Sequence, residues 1–519
     1  MLSANPAVDI DSAPCRNPLT LSECKLFAAT SLLGLILVLL MPVFAQEAYY
    51  WTYAQHPGLS YFDHPPMVAW SIWLGTRLAG DGVLGLRLGT WLCSVGSAWF
   101  GMLLLRDFGA RTGGIRAWLL LTAGVPILAS TKFLASPDAS LVFFWTLCLW
   151  ALWRARTGAL AWWLFAGAAA GGALLSKYTA IFLAVGGVLV LLLDPMFRRQ
   201  LRRPGPWLGV GVAALVFQPV FLWNLEHHFA SFRFQTETRA QNAQFGVKWL
   251  LELVLQQIGV LNPFVAVAFA GALPWVVRRV PRNPALLYVL AFGLPLPLFL
   301  LLDSLWVQVK INWLIPAYVP LLLGGCLWWE ERSPAFPRWR RLTLALGVSV
   351  VACGLTCAWV VRFVPQTAGS SWEGWEEIAS CAERWEECID LEDGEEGNLF
   401  FFAGDYRDAS QLDRELVAMV ARRPGGHHLE DVMSAQNVLG RPALMYDYWF
   451  DALQHVGQDA VFVLPRPSMR RQLLDDVEHR FAKVERVETV AVERLGRRVM
   501  DADIFVCRHY LGPESSRHR

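Results

Sequence analysis

The sequence predicts an all-α polytopic membrane domain of about eleven spans, with interfacial helices in the first outer loop, plus a small C-terminal α/β domain. Three observations predict it. Apolar runs of spanning length recur through the first two thirds of the 519 residues, in a chain that is 55% hydrophobic and holds 25 Trp. Arginines gather in alternate loops between those runs. The last third is a different material, acidic and with only short apolar segments. A net charge of +1 offers no global basic surface for nucleic acid. No glycine-rich phosphate loop stands in a strand–helix context.

The spans are expected at 26–45, 85–105, 115–133, 139–155, 161–177, 179–193, 207–223, 261–277, 285–302, 313–329 and 342–361. Residues 67–79 are too short and too Trp-flanked to cross, so they read as a helix lying at the interface, entered through Pro65 and Pro66. Residues 247–260 are a second such segment. The polar start followed by a long apolar run makes the first helix a retained anchor, with 1–25 as a cytoplasmic tail.

Orientation follows from the basic residues. With the N-terminus inside, the inner loops hold Arg106, Arg111 and Arg116; Arg154 and Arg156; Arg198, Arg199, Arg202 and Arg203; Arg278, Arg279 and Arg282; and Arg332, Arg338, Arg340 and Arg341. The outer side keeps Arg77, Arg87, Lys132, Lys177, Arg233, Arg239, Lys248 and Lys310 over longer sequence. The membrane domain is thus 26–361, and 362–519 is exported. In that tail, Asn398–Gly404 and Ala460–Leu464 read as buried strands, and Leu412–Arg422 and Met469–Lys483 as helices. Val484–Val499 and Asp503–Arg508 suggest further strands. Cys93, Cys148, Cys326, Cys353 and Cys357 sit in apolar runs as small hydrophobes, whereas Cys381 and Cys388 leave a disulfide open if the tail is exported.

The outer face carries polar residues that a plain bundle does not need. The first loop reads Gln46-Glu47-Ala48-Tyr49-Tyr50-Trp51, then Tyr61-Phe62-Asp63-His64-Pro65-Pro66. Glu47 leaves an apolar helix, which makes it either a functional carboxylate or a solvated helix end beside an aromatic belt. Asp63-His64 suits ordering of a substrate, a metal, or a hydrogen-bonded structural turn. Asp138, in Ser136-Pro137-Asp138, heads a helix, where capping and the dipole alone account for it. Lys177 and Lys310 sit at outer helix ends and either snorkel or meet an anionic headgroup. With Lys132, Arg233 and Arg239 they compose a candidate phosphate site. His227-His228 is a weak metal candidate, because adjacent histidines rarely face one ion.

Together these segments resemble the polyprenyl-phosphate-sugar glycosyltransferases, family-39-like enzymes of the multi-span GT-C fold that include protein mannosyltransferases and lipid A sugar transferases. The first loop carries the resemblance most specifically. Ser136-Pro137-Asp138-Ala139, Ser176-Lys177-Tyr178-Thr179 and Lys310-Ile311-Asn312-Trp313 resemble the later outer motifs, and Tyr406-Arg407-Asp408-Ala409-Ser410 extends the likeness into the tail. The resemblance implies a polyprenyl-phosphate-linked sugar as donor, a glycolipid or protein as acceptor, and inversion at the anomeric carbon. It implies catalytic roles for Glu47 and Asp138, and donor or phosphate contacts from Asp63, His64, Lys177, Lys310 and Arg239. It fixes no cofactor, and a divalent cation at Asp63 and His64 stays open. It also implies a bacterial inner membrane, with the site on its periplasmic face. The sequence departs from the family in one place, since Gln46 stands where Asp is usual and where the base is expected. A lipid or sugar transporter is the alternative, although no half-to-half repeat is visible.

Overall fold

The computed structural model describes residues 19–238, 243–332, 348, 372–393, 399–422, 432–466 and 471–513. Helices make up most of the described residues up to 332, and a small sheet follows. Every predicted span up to 313–329 falls on a helix or on a pair of abutting helices; 342–361 lies outside the described residues, save Val348, and so does Arg239. Five helices are long and apolar enough to cross a membrane among the described residues: Leu21–Leu40, Val83–Asp107, Pro204–Glu226, Pro263–Arg282 and Pro284–Asp303. Leu160–Ser176 and Tyr178–Leu193 are shorter apolar helices.

Local chemistry moves several boundaries. The first helix starts at a capping box, in which Thr20 Oγ1 accepts from the Glu23 N–H and Glu23 Oε2 accepts from the Thr20 N–H. It stops at Leu40, not at 45, because Pro42 cannot donate into a continuing helix. The expected span 115–133 is two helices, Thr112–Gly124 and Pro126–Ser130, parted by Val125 ahead of Pro126. Pro295 likewise divides Pro284–Gly293 from Pro295–Asp303.

Small residues set the closest helix contacts. A Cβ on Gly167 of Leu160–Ser176 would lie 2.1 Å from the Gly209 carbonyl oxygen of Pro204–Glu226. A Cβ on Gly85 would lie 1.8 Å from the Gly80 oxygen, where Met67–Ala79 folds back on Val83–Asp107. Backbones that touch this way gain dispersion where apolar burial gives no drive between helices. Gly167→Val must therefore push two helices apart. We expect it to cost about 1–3 kcal/mol, read as a lowered Tm of the detergent-solubilised protein, whereas Gly187→Ala, which meets nothing within 4 Å, should melt like the parent.

The C-terminal sheet has five strands in the order β2-β1-β3-β5-β4: β1 Leu399–Ala403, β2 Val432–Ser434, β3 Asp459–Pro465, β4 Phe481–Arg494 and β5 Arg497–Tyr510. β1 runs parallel to β2 and β3, β3 antiparallel to β5, and β4 and β5 form a hairpin. Side chains alternate across β1. Phe401 packs with Ile378, Ala382, Leu412 and Leu416 from the helices Trp375–Asp393 and Tyr406–Arg422, while Phe400 and Phe402 pack with Leu473, Val477 and Phe481 opposite. The expected strand Val484–Val499 in fact crosses a turn, because Leu495 and Gly496 both take positive φ (51° and 70°) and reverse the chain. Cys381 and Cys388 are free thiols on one helix. Seven residues of helical rise, about 10 Å, exceed the reach of a disulfide.

Candidate active site

The first loop opens with the helix Ala45–Gln55, and its placement rests on one ion pair. Glu47 and Arg87 are both fully buried. Arg87 Nε donates to Glu47 Oε1 at 2.8 Å and Nη2 to Oε2 at 2.6 Å. The remaining Arg87 donors go to the carbonyls of Val38 and Met41 (from Nη1) and of Pro42 (from Nη2), which are the groups left open where the first helix ends. Glu47 also accepts from the Phe44 N–H at 3.0 Å and the Ala135 N–H at 2.7 Å. All five guanidinium N–H groups and all four carboxylate lone-pair sites are thereby used. That geometry is at odds with a catalytic base at Glu47, which has neither a free lone pair nor access to a substrate. The carboxylate instead ties together the end of the first helix, the start of Ala45–Gln55, Arg87 of Val83–Asp107 and the 131–135 turn.

One helical turn on, Tyr50 faces a different set of groups. Its buried phenol is held well above its usual pKa by burial, and then by the charges of Asp63 and Asp138. Asp63 accepts from the hydroxyls of Tyr53 and Tyr49, the latter at 3.2 Å. Burial pushes the Asp63 carboxyl above its ordinary range, against the hydroxyl donors and the charge of Lys310, which pull it down. His64 Nε2 stands 3.9 Å from Asp63 Oδ2 and packs edge-on to Tyr50. From another direction, Lys177 Nζ donates to Asp138 Oδ1 at 2.7 Å, and Asn312 Nδ2 to Asp138 Oδ2 at 2.5 Å. The expected cap role does not hold: the N-cap is Ser136, no side-chain cap bond forms, and the Asp138 oxygens go to Lys177 and Asn312.

The structure therefore brings Asp63 and Asp138 into the field of Tyr50, with His64 against its ring, Lys177 on Asp138 and Lys310 acting on Asp63, whereas Glu47 is paired with Arg87. The segment after Pro204–Glu226 closes one flank: Ser231 Oγ donates to the Tyr61 carbonyl at 2.9 Å and Gln235 Nε2 to the Asp63 carbonyl at 3.0 Å. His227 is stacked on Trp223 with Nδ1 2.8 Å from its carbonyl oxygen, an arrangement that holds the ring against its own helix. Among the described residues no group of three or more His, Cys, Asp or Glu is placed to hold a metal; Asp63 and His64 supply two donors.

The C-terminal α/β unit roofs this site. Its residues Ala403, Ala409, Ala435, Met445 and Tyr446 share one apolar cluster with Tyr49, Tyr50, Tyr53 and Tyr61. Gln411 Nε2 donates to the Val43 carbonyl at 3.2 Å, the Met445 N–H to the Tyr49 hydroxyl at 3.2 Å, and Trp449 stacks on His56 with centroids 4.7 Å apart. Over the loop, Arg407 Nε donates to Gln46 Oε1 at 3.0 Å and the Tyr406 hydroxyl lies 3.4 Å from the same oxygen.

Comparison with known proteins bears on this arrangement. Residues 63–223 match the family model described as dolichyl-phosphate-mannose-protein mannosyltransferase. A lipid A galacturonosyltransferase, RgtD, of Rhizobium johnstonii is 31% identical over 287 residues, covering 53% of this chain and 58% of that protein. An undecaprenyl phosphate-α-4-amino-4-deoxy-L-arabinose arabinosyl transferase of Pseudomonas fluorescens is 28% identical over 337 residues, covering 58% of this chain and 55% of the relative. The chain thus spans somewhat over half the length of the curated relatives it matches. Among solved structures, ArnT from Cupriavidus metallidurans bound to undecaprenyl phosphate aligns with a TM-score of 0.59 at 16% identity, over 94% of this chain and 98% of that one. The apo form gives 0.60 at 17% identity, over 93% of this chain and 98% of that one. The chain shares the fold of ArnT.

Proposed function

We propose that this GT-C-fold chain transfers a sugar, with inversion, from a polyprenyl-phosphate donor to an envelope glycolipid such as lipid A, or to a protein, on the periplasmic face of a bacterial inner membrane. The observation that carries the reading is a polar centre in which Asp138 is hydrogen-bonded to Lys177, Asp63 lies in the field of Lys310, and both carboxylates act on the buried Tyr50 phenol. Such a site suits a reaction in which an acceptor attacks an anomeric carbon while a lipid phosphate departs. The relatives' names, which specify a lipid A acceptor and an undecaprenyl-phosphate sugar, support the same reading.

The chain's own groups divide the work. Lys177 spends one N–H on Asp138 and keeps two for phosphate oxygens. Lys310 and His64 bring further positive charge or hydrogen-bond donors to the same anion. Asp63, kept poorly solvated and basic, is the better base for the acceptor, and Asp138 orients Lys177. Glu47 is a positioning residue in this scheme, not the base. A divalent cation at Asp63 and His64 would need water or substrate oxygens for its remaining positions.

Purified protein in nanodiscs, given a labelled polyprenyl-phosphate sugar and lipid A, should yield labelled glycolipid. Movement of intact donor across a sealed vesicle without transfer would instead favour a transporter. Lys177→Ala should raise the KM for donor about 10- to 100-fold, the scale of a hydrogen bond to a charged group. A change in kcat alone would place Lys177 away from the leaving phosphate.

A further inference from the structure

We propose that Arg407, brought over the site by the C-terminal unit and held against Gln46, is a specificity-determining contact for an anionic substituent on the substrates. The group is either a carboxylate on the transferred sugar or a phosphate on the acceptor. The inference rests on the transfer reading above and adds to it the charge class of the substrate.

Position comes first. Gln46 lies one helical turn before Tyr50, whose phenol feels the charges of Asp63 and Asp138, and its amide oxygen accepts from Arg407. Arg407 stands at the start of the helix Tyr406–Arg422, one residue past Tyr406, over whose ring its guanidinium lies 4.8 Å from the centroid. Tyr406 in turn feels the charges of both Arg407 and Asp63. The guanidinium therefore lies at the rim of the same polar centre, and it is exposed there.

Charge is the second step. Asp138 is answered by Lys177, and Asp63 lies in the field of Lys310. Arg407 is answered by no carboxylate: its side chain forms no ion pair among the described residues, and Asp405 Oδ1 accepts from its backbone N–H instead. The group it does meet is a neutral amide. Gln46 Oε1 takes the Nε–H and leaves the positive charge whole. A carboxylate at position 46 would cancel it, so the amide preserves a cation over the site.

Shape is the third. Stacking on Tyr406 and the bond to Gln46 fix the guanidinium plane, and a fixed fork binds a carboxylate or phosphate through two parallel N–H bonds. The same cation disfavours a positively charged amino sugar.

The test compares affinities of full-length protein in nanodiscs for matched pairs. One arm pairs a polyprenyl-phosphate hexuronate with the corresponding hexose; the other pairs lipid A bearing its phosphates with dephosphorylated lipid A. Arg407→Ala should lower the charged-over-uncharged affinity ratio about 10- to 100-fold in one arm, and that arm identifies the source of the anion. Gln46→Glu should lower the same ratio although Arg407 remains, because the new carboxylate captures it. Arg407→Lys should fall between. An unchanged ratio in both arms overturns the proposal, as does an equal loss for charged and uncharged partners. Failure of the transfer reading looks different: the parent would bind these lipids with its affinity ratios intact and form no glycosylated product.

Discussion

Arg87→Ala should cost about 3–5 kcal/mol, the scale seen when one partner of a buried ion pair is removed, and the solubilised protein should melt well below the parent. The reason lies in what Arg87 satisfies at once. Without it Glu47 becomes a buried carboxylate with no counter-charge, and the carbonyls of Val38, Met41 and Pro42 lose their donors at the end of the first helix. Each unmet group in a region without water is expensive. Arg87→Met combined with Glu47→Leu should recover part of the loss by removing both charges together. The same pair decides the role of Glu47. Were it the base, Glu47→Gln would abolish transfer and leave the melt unchanged. As a positioning residue, it should lose stability, with residual activity following the folded fraction. A parent-like melt for Arg87→Ala would sink this account of the loop.

Most of the helical body was legible in the sequence because apolar runs of spanning length have few alternatives. The errors fall where proline cuts a run whose composition does not change, as at Pro42 and Pro126. In the tail, Asn398–Gly404 and Ala460–Leu464 stood out as short apolar runs and became β1 and β3. The β4–β5 turn escaped because Leu495-Gly496 lacks the usual Asn-Gly or Asp-Gly signal. In the site, the residue set was readable as polar groups in costly places, but their pairing was not. Glu47 drew notice as a carboxylate at a helix end, while its partner Arg87, 40 residues on, read as one more outer cation. An arginine inside an apolar run was itself a signal that some buried acid must answer it. Tyr50 reads locally as part of an aromatic belt, and nothing local in Tyr406-Arg407 announces that the tail reaches Gln46. Contacts between segments 360 residues apart leave no periodicity to read.

Asp63→Asn should lower transfer to a hydroxyl acceptor about 100- to 10,000-fold, the usual worth of general-base help, without lowering stability at neutral pH. The two halves share one cause. Burial raises the Asp63 carboxyl above its ordinary range, so the fold prefers its neutral form. Below the unfolded pKa the group is protonated in both states and costs nothing. As pH rises from there through the folded pKa, ionisation inside the site costs stability, and above it the whole penalty is present. Asn removes that penalty, and its amide oxygen can still accept from Tyr49 and Tyr53. The raised pKa also shapes the rate. A base must be ionised, so kcat/KM of the parent should fall with decreasing pH along an acid limb lying above the ordinary aspartate value of about 3.9. Asp63→Asn should flatten that limb along with the rate. A phosphate acceptor, already ionised, should lose much less. If hydroxyl transfer by Asp63→Asn kept the parent's acid limb, the base would lie elsewhere, and Asp138, freed from Lys177 when the phosphate draws the lysine away, would be the group left to supply it.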